Sequence, residues 1–181
     1  MRKYDRAVAQ VGGTEMFHKG RRKMRRVTLL LTAIGVVMML LASGVALART
    51  FVGTAGPDTF VGTAGTDEIR GRGGNDNLSG AGGRDRVRGD GGNDTVSGNE
   101  GADEVRGDFG DDIMRGGGAA DSIRADEGGR DVVRAGAGND VIDAHDDPGK
   151  DTIDCGDGTD TVDFDGGVDV VGANCENTDP H

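Results

Sequence analysis

Gly89-Asp90-Gly91-Gly92-Asn93-Asp94-Thr95-Val96-Ser97 consists of a glycine-rich hexad followed by a polar-apolar-polar triplet. Glycine enters backbone regions with φ > 0 at no steric cost, and Asn at the fifth position tolerates the left-handed region nearly as well. The hexad is therefore expected to be a turn. Alternation across the triplet turns Val96 inward and leaves Thr95 and Ser97 outside, the pattern of a short strand. A strand of this length holds no sheet alone, so the unit requires stacked copies that bury its one apolar side chain.

The chain supplies them. An aspartate recurs at Asp58, Asp67, Asp76, Asp85, Asp94, Asp103, Asp112, Asp121, Asp131, Asp140, Asp151, Asp160 and Asp169, in steps of nine except ten into Asp131 and eleven into Asp151. Two residues after each stands an apolar residue: Phe60, Ile69, Leu78, Val87, Val96, Val105, Met114, Ile123, Val133, Ile142, Ile153, Val162 and Val171. One carboxylate and one core residue per unit describe a solenoid. An Asp in a turn also bonds its own backbone amides, so a metal-free β-helix with Asx turns is the plainer reading. Against it, that role would accept Asn or Ser, yet every copy keeps the negative charge.

From Gly53 to about Gly172 the sequence resembles the RTX, or hemolysin-type, calcium-binding repeat, whose pattern is G-G-x-G-x-D-x-U-x with U a large apolar residue. Gly71 to Ser79 and Gly89 to Ser97 carry the pattern most fully. The second position departs from it at Thr54, Thr63, Arg72, Ala81, Asp90, Asn99 and Asp108; the fourth departs at Ala119, and Pro57, Arg84, Lys150 and Val168 are unusual at the fifth. The resemblance implies an all-β, right-handed parallel β-roll in which each unit lies on the unit two further along. It also implies several calcium ions between stacked turns, held by the recurring aspartates and by turn backbone at Gly71, Gly74, Gly89, Gly92, Gly107 and Gly110.

The chemistry of those residues agrees. Calcium takes six to eight hard oxygens from carboxylates and carbonyls. Stacking at roughly 4.8 Å puts Asp76, Asp94 and Asp112 in one column and Asp67, Asp85 and Asp103 in another. Like charges about 4 Å apart repel by about 1 kcal/mol in water and about 4 at an effective dielectric of 20. Of 21 basic and 32 acidic residues the first 48 positions hold nine and two, which leaves a net charge of −18 on the remaining 133. With no Trp and one Tyr, this part has the composition of a disordered chain, so calcium is expected to supply its folding free energy.

Residues 1–48 concern location. Val27 to Ala48 is almost wholly apolar, follows Arg21, Arg22, Lys23, Arg25 and Arg26, and ends in Ala46-Leu47-Ala48. It reads as a signal peptide cut before Arg49, with Met24 an alternative start; an uncut membrane anchor over 27–48 is the rival. The roll is then expected over 49–172, with 173–181 as a cap or tail. Cys155 and Cys175, 20 residues apart in an exported chain, are expected to form a disulfide over the last coil.

Arg70, Arg88, Arg106 and Arg124 fall eighteen apart and form an outward column beside Glu68, Arg86 and Glu104. Its plain reading is a paired charge ladder; its sharper one is contact with an anionic cell-surface polysaccharide, nucleic acid being excluded by the charge elsewhere. No catalytic constellation assembles: His18, His145 and His181 are scattered, and Ser79, Ser97 and Ser122 lack a partner base. The repeats begin within a few residues of the expected cleavage site, so neither an enzyme domain nor a toxin is expected. The expected function is an exported, non-catalytic calcium-binding module, structural or adhesive. The alternative is an accessory that holds a polymer for an enzyme.

Overall fold

The computed structural model describes residues 47–145 and 149–181, all of them strand, turn or extended chain. Apart from its last two residues, the apolar segment 27–48 lies outside the described residues, as do the basic stretch before it and Met24. Among the described residues no helix is long and apolar enough to cross a membrane.

In chain order the strands are β1 (Thr50–Val52), β2 (Thr59–Val61), β3 (Glu68–Gly73), β4 (Asn77–Gly82), β5 (Arg86–Gly91), β6 (Thr95–Glu100), β7 (Glu104–Phe109), β8 (Ile113–Gly118), β9 (Ser122–Arg124), β10 (Val132–Ala137), β11 (Val141–Ala144), β12 (Thr152–Asp157), β13 (Thr161–Phe164), β14 (Val170–Val171) and β15 (Asn177–Pro180). Odd-numbered strands form one sheet in sequence order, and even-numbered strands form the other. Every neighbouring pair is parallel, and the register sets Leu78 beside Val96 and Val96 beside Met114, eighteen residues apart. This is a parallel β-solenoid of about seven coils, two units to the coil, matching a β-roll.

The single apolar residue of each unit forms the core. Ile69, Val87, Val105, Ile123, Ile142 and Val162 line one sheet, and Leu78, Val96, Met114, Val133 and Ile153 line the other, all fully or almost fully buried. Phe51 and Phe60 pack partly buried at the amino-terminal end, ring centroids 5.8 Å apart. Cys155 and Cys175 are joined, Cα to Cα 5.3 Å. The bond ties the inner face of β12 to the segment leading into β15, so residues 173–181 contribute a last strand to the odd sheet.

The structure corrects one expectation. The hexad is not all turn, because in the regular coils the strand runs on through its first three positions, as in β4 to β8. The second position makes this possible by taking a left-handed conformation within the strand: φ is 80° at Ala81, 73° at Asp90, 77° at Asn99 and 65° at Asp108. Pairing skips the first position and resumes at the second, with Ala81 beside Asn99 and Gly82 beside Glu100. Threonine is β-branched and a poor occupant of that region. With Thr54 and Thr63 at this position, β1 and β2 stop after three residues.

Two substitutions check this. Ala81→Gly relieves a left-handed alanine, worth about 1–2 kcal/mol, against about 0.4–1 kcal/mol of added unfolded-state entropy, and is expected to stabilise the ordered protein slightly. Gly92→Ala should destabilise the roll strongly, since a Cβ there would sit 2.1 Å from the Gly74 carbonyl oxygen. Urea melts of both variants are the measurement; a less stable Ala81→Gly or a tolerated Gly92→Ala contradicts the assignment.

Candidate metal centre

The turns stack the recurring aspartates into two columns, one at each edge of the sandwich. Along one column the backbone N–H of Asp58 donates to Asp76 Oδ1, Asp76 to Asp94, and Asp94 to Asp112, each at 2.7 Å. Along the other, Asp67 donates to Asp85, Asp85 to Asp103 and Asp103 to Asp121 at 2.7–2.8 Å. The ladder continues through Asp112 to Asp131 and Asp131 to Asp151, and through Asp121 to Asp140 and Asp140 to Asp160, ending at Asp151 to Asp169. Each carboxylate thus clips its coil to the preceding one through a single oxygen.

The second oxygen decides the chemistry. Oδ2 of Asp76, Asp85, Asp94, Asp103, Asp112, Asp121, Asp140 and Asp160 is shut off from solvent and accepts no hydrogen bond within the described protein. From Asp76 to Asp121 it faces the glycine that opens its own hexad. A Cβ on Gly71 would lie 2.1 Å from Asp76 Oδ2 and 2.6 Å from the Gly89 carbonyl oxygen; on Gly89, 2.3 Å from Asp94 Oδ2 and 2.7 Å from the Gly107 carbonyl oxygen. Glycine therefore keeps open a cradle where an anionic oxygen and a main-chain carbonyl converge. Among the described residues no three His, Cys, Asp or Glu side chains gather as a ready-made cluster. The donors are instead one carboxylate per unit with backbone carbonyls, an all-oxygen set suited to calcium.

The repeat family described as the RTX calcium-binding nonapeptide repeat matches four times, over residues 52–87, 88–123, 127–147 and 144–171. The chain belongs to this family. No curated protein and no solved structure matches it. RTX repeats bind calcium, and the buried carboxylates found here provide oxygen donors of the required kind.

Copies of the RTX unit differ in ways the sequence pattern hides. Thr54 closes the first: its N–H and hydroxyl both donate to Asp58 Oδ2, at 2.6 and 2.9 Å. Thr63 does the same to Asp67 Oδ2. In the last copy the Asp165 N–H donates to Asp169 Oδ2 at 3.0 Å. These three are locally satisfied Asx-type turns, the plainer reading realised at the two ends. From Asp131 onward the first hexad position is no longer glycine, because Ala125, Ala135, Ala144 and Cys155 bury side chains there. The cradle is open in the copies ending at Asp76, Asp85, Asp94, Asp103, Asp112 and Asp121.

Among the expected backbone donors, Gly71, Gly89 and Gly107 border the carboxylates, whereas Gly74, Gly92 and Gly110 carry positive φ at the turn and let one coil approach the next. Sequence reasoning missed Glu176, whose Oε2 accepts the Asp160 N–H at 3.0 Å and ends one column in place of an aspartate. It also missed a parallel ladder at the fifth position, where the Asn75 side chain accepts the Asn93 N–H and that of Asp111 accepts the Arg130 N–H. The signal was in the row Asn75, Asn93, Asp111, all short amide or carboxylate side chains.

The arginine column is largely neutralised. Arg88 bridges Asp90 and Asp108, Arg106 reaches Asp108 and Glu127, and Arg70 stands 3.5 Å from Asp90. Arg86 pairs with Glu104 at 2.8 Å, as expected of neighbouring strands. The left-handed second position carries Asp90 and Asp108 back toward arginines, a contact that strand alternation alone does not reveal.

Burial raises the carboxyls of Asp85 and Asp94 to about 6 and those of Asp112 and Asp121 to about 7, above the ordinary 3.8, despite the amide each accepts. The folded state holds these protons more tightly than the unfolded chain does. The stability these protonated carboxyls contribute to the ion-free roll is therefore fully present below about pH 3.8 and is lost as pH rises through about 7. Thermal melts in chelator, followed by far-ultraviolet circular dichroism, should show a melting temperature that falls from pH 4 to 7.5; a flat or rising profile contradicts the assignment.

Proposed function

We propose that this chain is an exported, non-catalytic calcium-ordered β-roll with a structural or adhesive role at or outside the cell surface. The observation that carries this reading is the row of buried Oδ2 atoms without partners. At neutral pH each must hold a proton or face a cation, and extracellular calcium is the abundant hard cation. Of the thirteen aspartates from Asp58 to Asp169, those from Asp76 to Asp160 are the proposed carboxylate donors, and Asp58, Asp67 and Asp169 are held by their own turns. The six copies with an open cradle, Asp76 to Asp121, fill first, while the Thr-closed copies act as a lid. Affinity belongs in the range of about 10⁻⁴ to 10⁻³ M that extracellular modules show.

Export rests on the apolar segment ending in Ala46-Leu47-Ala48 and on the disulfide, which suits an oxidising compartment. Residues 1–48 are then targeting sequence, 49–172 the roll and 173–181 its cap. Mass spectrometry of secreted protein is expected to find Arg49 as the first residue; an intact amino terminus in the membrane fraction supports the anchor instead.

One observation favours the accessory reading. An open trough of ≈ 870 Å³ along the turn edge of the odd sheet is lined by Arg84, Arg86 and Arg124 together with Asp85, Asp103 and Glu104. An anionic polysaccharide would meet Arg84 and Arg124 there, since Arg86 is paired with Glu104.

Asp94→Asn separates metal binding from architecture. Its amide oxygen still accepts the Asp76 N–H, but the charge is gone. Calorimetric titration of residues 49–181 is expected to show fewer calcium equivalents than wild type, while the variant holds more β signal than wild type in chelator at pH 7.5. Unchanged stoichiometry would remove Asp94 from the donor set.

A further inference from the structure

A second cluster of ligand-type side chains lies on the outer face of the odd sheet, away from the aspartate columns. The register there sets Asp143 beside Asp163 and Asp163 beside Asp179, so three carboxylates stand side by side on β11, β13 and β15. This row continues the arginine column, since Asp143 follows Arg124 in register. Like charges on adjacent parallel strands, roughly 4.8 Å apart, repel; Arg124 faces Asp143, whereas the register gives Asp163 and Asp179 no arginine neighbour.

Two imidazoles stand over the row. His145, just past β11, and His181, just past β15, meet with ring centroids 4.4 Å apart, though 36 positions separate them in sequence. His181 Nε2 lies 3.2 Å from Asp163 Oδ1 and 3.8 Å from Asp179 Oδ2. Asp163 Oδ1 is closed to solvent and accepts no aligned hydrogen bond. A nitrogen and a carboxylate oxygen that face each other at this distance without hydrogen-bond alignment have the spacing of two ligands on one ion. Donors 2.0–2.1 Å from a tetrahedral zinc are roughly 3.3 Å from each other.

We propose that His145, His181, Asp163 and Asp179 form a site for one borderline divalent cation such as zinc, distinct from the all-oxygen calcium sites. Two imidazole nitrogens with two carboxylates is a donor set that selects zinc, copper or nickel over calcium, because calcium prefers oxygen alone. Among the described residues no three of these side chains yet converge on one position. Closure requires side-chain rotation at Asp179, which is 79% exposed, and exchange of the contacts His145 already makes for the ion. The ion would join β11, β13 and β15 across the coils that follow the last open cradle and neutralise the aspartate row. The disulfide leaves no thiol to compete for it.

The test uses the full chain saturated with calcium, so that the aspartate columns are filled, and zinc alone as the titrant in calorimetry. Wild type is expected to take one equivalent of zinc. His181→Ala and Asp163→Asn should each weaken uptake at least tenfold with the calcium-induced circular dichroism signal intact. Because a variant at the last strand can fail to fold, copper replaces zinc in a second measurement on wild type, read by electron paramagnetic resonance. Nitrogen hyperfine structure from two imidazoles supports the site. Oxygen-only ligation, no zinc uptake, or equal uptake by wild type and His181→Ala overturns it. Calcium-dependent folding is read separately in the same samples, so failure there is distinguishable from failure of the zinc site.

Discussion

In the copies ending at Asp76, Asp85, Asp94, Asp103, Asp112 and Asp121, one carboxylate oxygen clips each coil to the one before, and the other oxygen is buried with nothing to accept among the described residues. Asp94 shows the constraint in full: Oδ1 takes the Asp76 amide at 2.7 Å, while Oδ2 is sealed against the Gly89 cradle. The hydrogen bond fixes the spacing of the coils. The orphaned oxygen makes that spacing conditional, because burying an uncompensated carboxylate costs far more than one amide hydrogen bond returns. The repeat is thus built to be incomplete at neutral pH until a proton or a cation is present. The raised carboxyls of Asp112 and Asp121 express the same fact in acid-base terms.

Not every coil is built this way, and the differences follow position along the stack. At the amino-terminal end Thr54 and Thr63 close Asp58 and Asp67 with local hydrogen bonds. At the other end Glu176 receives the last amide of one column, and the Cys155–Cys175 bond holds the closing segment. Between them Arg88 and Arg106 share the buried Asp108, an ionic contact between coils that owes nothing to metal. Ends whose carboxylates are engaged locally enclose a middle whose buried oxygens have no protein partner among the described residues, an arrangement suited to a repeat stack whose termini would otherwise expose core and open strand edges.

Much of this was legible in the sequence. The step of nine, the apolar residue two places after each Asp and the eighteen-residue columns all follow from side-chain alternation and stacking, and each is found in the register of β3 to β8. The disulfide was legible from spacing and context. What escaped turns on backbone conformation at one place, the second hexad position. A left-handed Ala81 or Asn99 lengthens the strand, a left-handed Asp108 swings back onto arginines, and a threonine that avoids the region shuts its own site. Composition shows a departure from glycine at each of these positions but not which of the three outcomes it produces. Ala125 and Ala135 escaped for a related reason: a buried methyl in the cradle is one carbon in sequence but fills the space beside a carboxylate.

Small-angle X-ray scattering on residues 49–181 at pH 7.5, in chelator and then in millimolar calcium, tests the central claim most directly. For 133 residues an unfolded chain has a radius of gyration of about 38 Å and a compact one about 14 Å. The account predicts a value near the first without calcium and near the second with it. A compact particle of unchanged radius in rigorously chelated buffer would contradict it.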